Sequence, residues 1–289
     1  MKVTNIAAAV AIGFAAAGSV HALPTASSVW TAGVQNTISD DFMEVLIETG
    51  NADGQLSVGD TLFSALVITS YAPNSASAST VKELTLLSAT EIKAITLGVS
   101  NDCVKVGYAG SCADFTFGAV TGGMAAFLNS QGITLTNPGS LALTNDTMAV
   151  LMEGDTHNFD TTLATVASVF ASASDGNLRA VFDSVFTNGD YWLATGPVAL
   201  SDFLTVSPGK AIGNFDLDLT INGQDFAGWD MGTDIIGNGV LRRAPLTAAS
   251  PIGGDVSLFF TPTPVPEPAS IALLGLGLLG LGAVRRKSI

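Results

Sequence analysis

The C-terminal segment constrains the fold most, because its layout is not that of a globular domain. An apolar, glycine-containing run extends from Ile271 to Val284, and the basic residues Arg285, Arg286 and Lys287 follow it. As a helix, this run of about 14 residues would span roughly 21 Å, short of a hydrocarbon core of about 30 Å. The basic cluster favours a cytoplasmic C-terminus, with the preceding chain on the opposite side of the membrane. An ordinary C-terminal membrane anchor is the alternative interpretation.

A proline-rich spacer precedes the apolar run and contains a motif. Its prolines favour extended structure, which holds the junction away from the membrane. Pro266, Glu267 and Pro268, together with the apolar run and the basic end, resemble the PEP-CTERM sorting signal of Gram-negative bacteria that make extracellular polysaccharide. The resemblance covers about residues 264–287 only. It implies recognition of the tail by an exosortase, a membrane transpeptidase-like enzyme, with cleavage near the motif.

The N-terminal segment has the features of a secretory signal peptide. Lys2 supplies a positive charge, Ile6–Ala17 is apolar, and a small-residue cleavage site ends at Ala22. We expect the Sec translocon to export the chain and signal peptidase to cut after Ala22, which makes Leu23 the mature N-terminus. A structural helix is the alternative, but no polar residues give this stretch a second face.

These two ends divide the chain into four parts. We predict a signal peptide over 1–22, an exported β-rich domain over 23–260, a Pro-rich linker over 261–268 and a transmembrane sorting tail over 269–289. The exported part is long enough for one large β domain or two smaller ones. The chain has 25 acidic and 11 basic residues, a net charge of −14. Such a surface repels nucleic acids and anionic lipids, so we expect no nucleic-acid partner.

The two cysteines predict a disulfide. Cys103 and Cys112 are close in sequence, and the exported location is oxidising. Closing so short a loop would stabilise the fold by about 2–3 kcal/mol. Two free buried thiols are the alternative.

Alternation of apolar and polar residues predicts a mainly β fold. Segments with this pattern, or with a high content of β-forming residues between turns, are Phe42–Ile47, Leu62–Thr69, Thr147–Met152, Phe215–Ile221 and Val256–Phe260. Helical signals are fewer. A capping box at Thr80–Glu83 precedes apolar residues that continue to Ile92, and the apolar residues of Leu178–Phe186 fit one helical face. We predict an antiparallel β-sandwich with two or three short helices.

Residues 49–60 resemble an EF-hand calcium loop when they are aligned on Gly54. Thr49 replaces the usual first aspartate, and an aspartate replaces the bidentate glutamate at the last position. The flanks favour strands, so a hairpin with an Asp-Gly turn explains the same residues. The candidate calcium ligands are Asn51, Asp53, Gln55, Ser57 and Asp60. No other cofactor is expected.

Catalytic motifs are missing from the sequence. It contains no Gly-x-Ser-x-Gly, His-Glu-x-x-His or P-loop pattern, and His157 is the only histidine after the signal peptide. We therefore predict a non-enzymatic protein. The leading hypothesis is an exported protein that is membrane-anchored before processing and then located at the cell surface or in the extracellular matrix.

The resemblance implies a further association with biofilm and exopolysaccharide. Two alternatives remain. Tyr191, Trp192 and Trp229 could stack on sugars in a carbohydrate-binding module, with or without calcium. A secreted hydrolase needs only two of the many carboxylates.

Overall fold

The computed structural model describes residues 23–50, 52–98, 112–159, 165–205, 210–243 and 252–265. The predicted signal peptide and sorting tail lie outside these ranges. Among the residues that are described, no helix has the length and apolar character needed to cross a membrane.

The described chain is mainly β, as predicted, with three α-helices. The strands are β1 Asn36–Ile47, β2 Thr61–Val67, β3 Ser70–Ala72, β4 Ala76–Ser77, β5 Glu83–Leu97, β6 Cys112–Ala119, β7 Thr147–Gly154, β8 Asn177–Asp183, β9 Tyr191–Pro197, β10 Ala211–Gln224, β11 Trp229–Asp230, β12 Asp234–Arg243, β13 Ile252–Phe260 and β14 Thr263–Pro264. The α-helices are α1 Met124–Ser130, α2 Val166–Ala173 and α3 Leu200–Phe203, and 3-10 turns occupy Ala26–Val29, Ala78–Thr80 and Phe186–Asn188. All five predicted strand segments fall largely within observed strands.

The large sheet is antiparallel and closes on itself. One ring of paired strands runs β1–β2–β5–β6–β9–β10–β12–β13 and returns to β1. A second ring uses β7 and β8 in place of β6 and β9. This branching is possible because β5 and β10 are long. Along one side, β5 pairs first with β7 and then with β6, and β10 pairs first with β9 and then with β8.

The predicted sandwich of two separate sheets is therefore wrong, and the fold is a single closed, barrel-like sheet. Register shifts at Ile92/Ala94 in β5 and at Ile221/Gly223 in β10 occur close to where each strand changes neighbour. Irregularities of this kind bend a strand and increase its twist, which allows one strand to follow the curve of a closed sheet. The short strand segments predicted from the sequence do not reveal that one long strand pairs with two neighbours along the same side.

Both predicted helices are wrong. The segment after Thr80 is strand β5, and Leu178–Phe186 contains strand β8 and a 3-10 turn. Each strand is buried on both faces, as Leu86 and Leu87 show on β5 by packing into different apolar clusters. Because both faces accept apolar residues, their spacing is not limited to alternation, and Leu84 and Leu87, which lie on opposite faces of β5, match helical spacing by coincidence.

Two apolar cores lie on opposite faces of the sheet. The inner core fills the closed sheet, and the outer core lies under α1 and α2, which cover β1, β2, β5, β7 and β8. The rings of Phe63 and Phe170 stack at 3.9 Å and attach α2 to β2. Burial of a phenylalanine side chain contributes about 1.5–3 kcal/mol to the stability of the fold.

The N-terminal segment closes one end of the sheet. Trp30 packs edge-on against Phe226 and Phe260, at ring-centre distances of 4.8 and 5.0 Å. The backbone N–H of Ala26 donates to Glu153 Oε1 at 2.8 Å, and Arg179 pairs with the other oxygen of the same buried carboxylate at 3.0 Å. The residues that would follow signal-peptide cleavage are therefore part of the folded domain.

Gly254→Ala should destabilise the closed sheet. An added Cβ would lie 2.8 and 2.9 Å from two ring carbons of Phe42, and it would also collide with the backbone of Val240. Because neither neighbour can yield without disturbing the ring of strands, we expect a loss of about 1–3 kcal/mol in the free energy of unfolding, measured by urea denaturation. Gly50→Ala is the matched control, since its Cβ would meet no atom within 4 Å. Equal stabilities of the two variants would contradict the packing described.

Candidate binding cavity

A row of polar side chains crosses the inner face of the closed sheet. Glu44 on β1 lies directly opposite Ser64 on β2, and Ser64 lies opposite Ser88 on β5. The row continues as apolar residues on both sides, with Ile252 on β13 and Ala149 on β7. All five residues line one cavity in the interior. The closed sheet thus places three polar groups from separate strands side by side on an otherwise apolar wall.

Glu44 is the central group of this row. Its side chain is only 7% exposed, and the Ser64 Oγ hydroxyl donates to Glu44 Oε1 at 2.5 Å. Burial raises the pKa of Glu44 from 4.5 to about 7, while the hydrogen bond from Ser64 acts in the opposite direction. The carboxyl group therefore changes its charge near neutral pH inside the protein.

The cavity has a volume of about 50 Å³, and phenylalanine rings form much of its wall. One water molecule needs roughly 10–15 Å³, so the space exceeds that of a single water. The end nearer Glu44 is covered by Leu56, Pro197 and Phe203, which also line the cavity. The opposite end of the sheet is closed by the packing around Trp30.

The predicted calcium loop supplies Leu56 to this cover. The N–H of Leu56 donates to Val198 O at 2.7 Å, and the N–H of Leu200 donates to Gly54 O at 2.9 Å. These two bonds join the β1–β2 connection to the segment that follows β9. The flanks of the loop are strands, as the sequence predicted.

Among the predicted calcium ligands, Asp60 and Asp53 accept hydrogen bonds from the loop itself. Asp60 Oδ1 accepts from the N–H of Thr49 at 3.0 Å, and Asp60 Oδ2 accepts from the N–H of Ser57 at 2.9 Å. Asp53 Oδ1 accepts from the N–H of Gln55 at 2.9 Å. Within the described ranges, no group of three or more His, Cys, Asp or Glu side chains is placed to hold a metal ion. Asn51 lies outside the described residues, and calcium binding stays a prediction.

Other predicted site residues fall at or beyond the edges of the described chain. Leu23 is the first described residue, and Ala22 lies outside. Cys112 is disulfide-bonded at the start of β6, but Cys103 lies outside, so their pairing stays a prediction. The sorting-motif residues and the basic cluster, which are Pro266, Glu267, Pro268, Arg285, Arg286 and Lys287, also lie outside the described residues.

The aromatic side chains proposed to stack on sugars are partly buried. Trp192 lines the interior cavity, and Trp229 packs edge-on against Trp30 at 6.0 Å. Tyr191 is also of intermediate exposure. Stacking of these rings on sugars stays a prediction.

The sequence interpretation missed Glu44, Ser64 and Ser88. A signal was present for Glu44, because it stands two residues after Phe42 in a segment already predicted as a strand. Alternation places both side chains on the same face, so an inward carboxyl could have been inferred. The serines carry no comparable signal, since their meeting with Glu44 depends on strand register.

Among known protein families, a match was found for the C-terminal tail of the chain only. Residues 264–287 match the PEP-CTERM protein-sorting motif, which confirms the resemblance predicted for the C-terminal tail. No curated protein matches the chain, and no solved structure matches it either. The motif implies export, a membrane-anchored sorting signal and processing by an exosortase-type enzyme.

Glu44→Gln should change how stability depends on pH. The pKa of Glu44 is about 7 in the folded protein and 4.5 in the unfolded chain. Between these pH values Glu44 therefore keeps its proton in the folded protein and loses it in the unfolded chain. The free energy of unfolding of the wild type should therefore fall as the pH rises from 4.5 to 7. Glu44 should contribute roughly 3 kcal/mol to this fall, and its contribution should stay constant above pH 7. Urea denaturation at several pH values should show that Glu44→Gln lacks this fall.

The control for this measurement is Asp216→Asn. Asp216 is an exposed carboxyl on the outer face of β10, so its replacement should leave the pH dependence of the wild type in place. If Glu44→Gln and the wild type have parallel pH profiles, the assignment of the titration to Glu44 is wrong.

Asp60→Asn should loosen the cover of the cavity. Replacement of one carboxylate oxygen by an amide nitrogen places a donor against a backbone N–H of Thr49 or Ser57. We expect a loss of about 1–3 kcal/mol in unfolding free energy, in EDTA as well as in calcium chloride. Asp53→Asn, at an exposed position, should cost less. A calcium-induced gain in wild-type stability that Asp60→Asn removes would instead support the calcium loop predicted from the sequence.

Proposed function

We propose that this protein is a non-enzymatic component of the cell surface or extracellular matrix, delivered there through its PEP-CTERM tail. The observation that carries the proposal is the sorting motif at residues 264–287. The acidic composition supports it, because a net charge of −14 favours solubility outside the cell and disfavours contact with anionic lipid. The association with biofilm and exopolysaccharide rests on the family resemblance.

The composition of the cavity supports binding over hydrolysis. Among the described residues that line it, Glu44 alone has an ionisable side chain. Glycoside hydrolysis generally uses a pair of carboxylates, one as acid and one as base or nucleophile. A single buried carboxyl on an apolar wall fits recognition of a ligand better than this chemistry. The proposal of a non-enzymatic role therefore draws on the interior as well as on the sequence.

Terminal-peptide mass spectrometry on membrane, cell-surface and medium fractions tests the sorting step. We expect the surface and released protein to begin at Leu23 and to lack the segment after Pro268. Glu267→Gln should increase the amount of protein that retains its tail in the membrane fraction, because the sorting enzyme would recognise the altered motif less well. Thr261→Ser is the control, since Thr261 is an exposed residue of the same spacer and lies outside the matched residues.

Retention of residues 271–289 in all wild-type protein would make the chain a simple membrane-anchored protein and would overturn the proposal. The matrix role is tested separately in a strain that lacks the gene. Wild-type protein should restore matrix retention and settling of cells, whereas Glu267→Gln should restore less. Normal retention and settling without the protein would contradict the matrix role while leaving the sorting step intact.

A further inference from the structure

Part of the spacer before the sorting motif is built into the folded domain. Strand β14 pairs antiparallel with β11, which places Thr263 directly opposite Asp230. The N–H of Val265 donates to Gly228 O at 3.0 Å and extends this pairing by one residue. The domain therefore holds the chain up to the residue that directly precedes the Pro-Glu-Pro motif.

The hold on this segment is weak beyond Pro262. The side chain of Pro262 is buried, and its carbonyl accepts from the N–H of Gly33 at 2.9 Å. The side chains of residues 263–265 are exposed, so backbone hydrogen bonds to β11 hold them with little buried surface. Segments of this kind open locally at a fraction of the free energy of global unfolding. β14 can therefore leave β11 while Pro262 and the closed sheet stay in place.

Alternating prolines leave this segment with backbone donors on one edge only. The prolines at positions 262, 264, 266 and 268 have no N–H, so the donors belong to the residues between them, which are Thr263, Val265 and Glu267. In an extended chain, residues two apart direct their N–H groups to the same side. β11 occupies this side, as the bond from Val265 to Gly228 shows. A second strand cannot pair with the same edge at the same time.

We propose that β11 shields the sorting motif, and that the sorting enzyme binds this segment as an extended strand through the same donor edge. Proteins that bind extended peptides commonly add the peptide to a strand of their own through main-chain hydrogen bonds. β11 and the enzyme then compete for the N–H of Val265, so β14 has to leave β11 before the tail is cut. This inference rests on the proposed sorting through the tail and adds the mode of recognition.

The length of the chain after β14 supports the same order of events. From Val265 to the start of the apolar run at Ile271, a fully extended chain reaches only about 20 Å. An enzyme that encloses the motif has to fit between the domain and the membrane within this reach. Release of residues 263–265 leaves Pro262 as the last fixed residue and lengthens the reach to about 30 Å.

A disulfide across the pairing tests the shielding. Asp230→Cys with Thr263→Cys places two cysteines directly opposite each other, outside the matched sorting residues. Opposite residues of an antiparallel pair have Cα atoms about 4.5–5.5 Å apart, which suits a disulfide. In a pulse-chase experiment on cells, we expect the crosslinked full-length chain to keep its tail while the wild type loses it. Dithiothreitol added during the chase should restore processing.

The matched control is Asp230→Ser with Thr263→Ser, which changes the same positions without a crosslink and should lose its tail like the wild type. Intact-mass measurement confirms that the crosslink has formed. Wild-type protein in dithiothreitol controls for reduction of the native disulfide at Cys112.

Val265→Pro tests the shared edge. It removes the N–H that pairs with β11, whereas Val265→Ala keeps this donor. If the sorting enzyme uses the same donor, Val265→Pro should lose its tail on the order of tenfold more slowly than Val265→Ala. If only β11 used it, Val265→Pro would release β14 and lose its tail faster. Urea denaturation checks that both variants are folded.

Two results would overturn the proposal. Loss of the tail from the crosslinked chain at the wild-type rate would show that β14 need not leave β11. Loss from Val265→Pro as fast as from Val265→Ala, or faster, would show that the enzyme does not use this donor. Wild-type protein that keeps its tail throughout would be a different failure, because it would overturn the sorting step itself and this inference with it.

Discussion

Continuous backbone hydrogen bonding around the closed sheet is the constraint on which the rest of the structure depends. Closure removes most free edges, and the branch through β7 and β8 requires β5 and β10 each to pair with two neighbours in succession. It also separates an inner face from an outer face. The outer face then needs α1 and α2 as a cover, while the inner face must be filled by its own side chains. The two cores and the cavity are therefore consequences of one pairing pattern.

The two ends of the sheet are closed by different means. At one end, the segment that follows the predicted signal peptide packs aromatic rings around Trp30 and bonds to the buried Glu153. Glu153 fixes the position of this segment more than it stabilises the fold. The loss of water around its carboxylate offsets much of the attraction to Arg179. At the other end, a loop held by Asp60 supplies Leu56 as part of the cover. This second closure lies at the end of the sheet nearer Glu44.

Sequence patterns located five of the fourteen described strands, and they predicted the wrong arrangement of sheets. Phe215–Ile221 alternates cleanly because β10 has one face toward the core and one toward solvent over this stretch, so its period is visible. β5 and β8 were mistaken for helices because both of their faces are buried, so their apolar residues do not simply alternate and can match helical spacing. Glu44 could have been placed on the inner face, because it stands two residues after Phe42 and alternate residues of a strand share a face. Its neighbours Ser64 and Ser88 could not, because cross-strand register is not a local property.

Features that depend on composition or on the local order of residues can be identified from the amino-acid sequence alone. The sorting motif and the alternation of several strands can be identified within short windows, and the acidic charge follows from composition. Long-range strand pairing closes the strands into one sheet, brings Leu56 over its end and places Glu44, Ser64 and Ser88 on one wall. These contacts join residues far apart in the chain, and they depend on the hydrogen-bonded register between strands, which no local pattern contains.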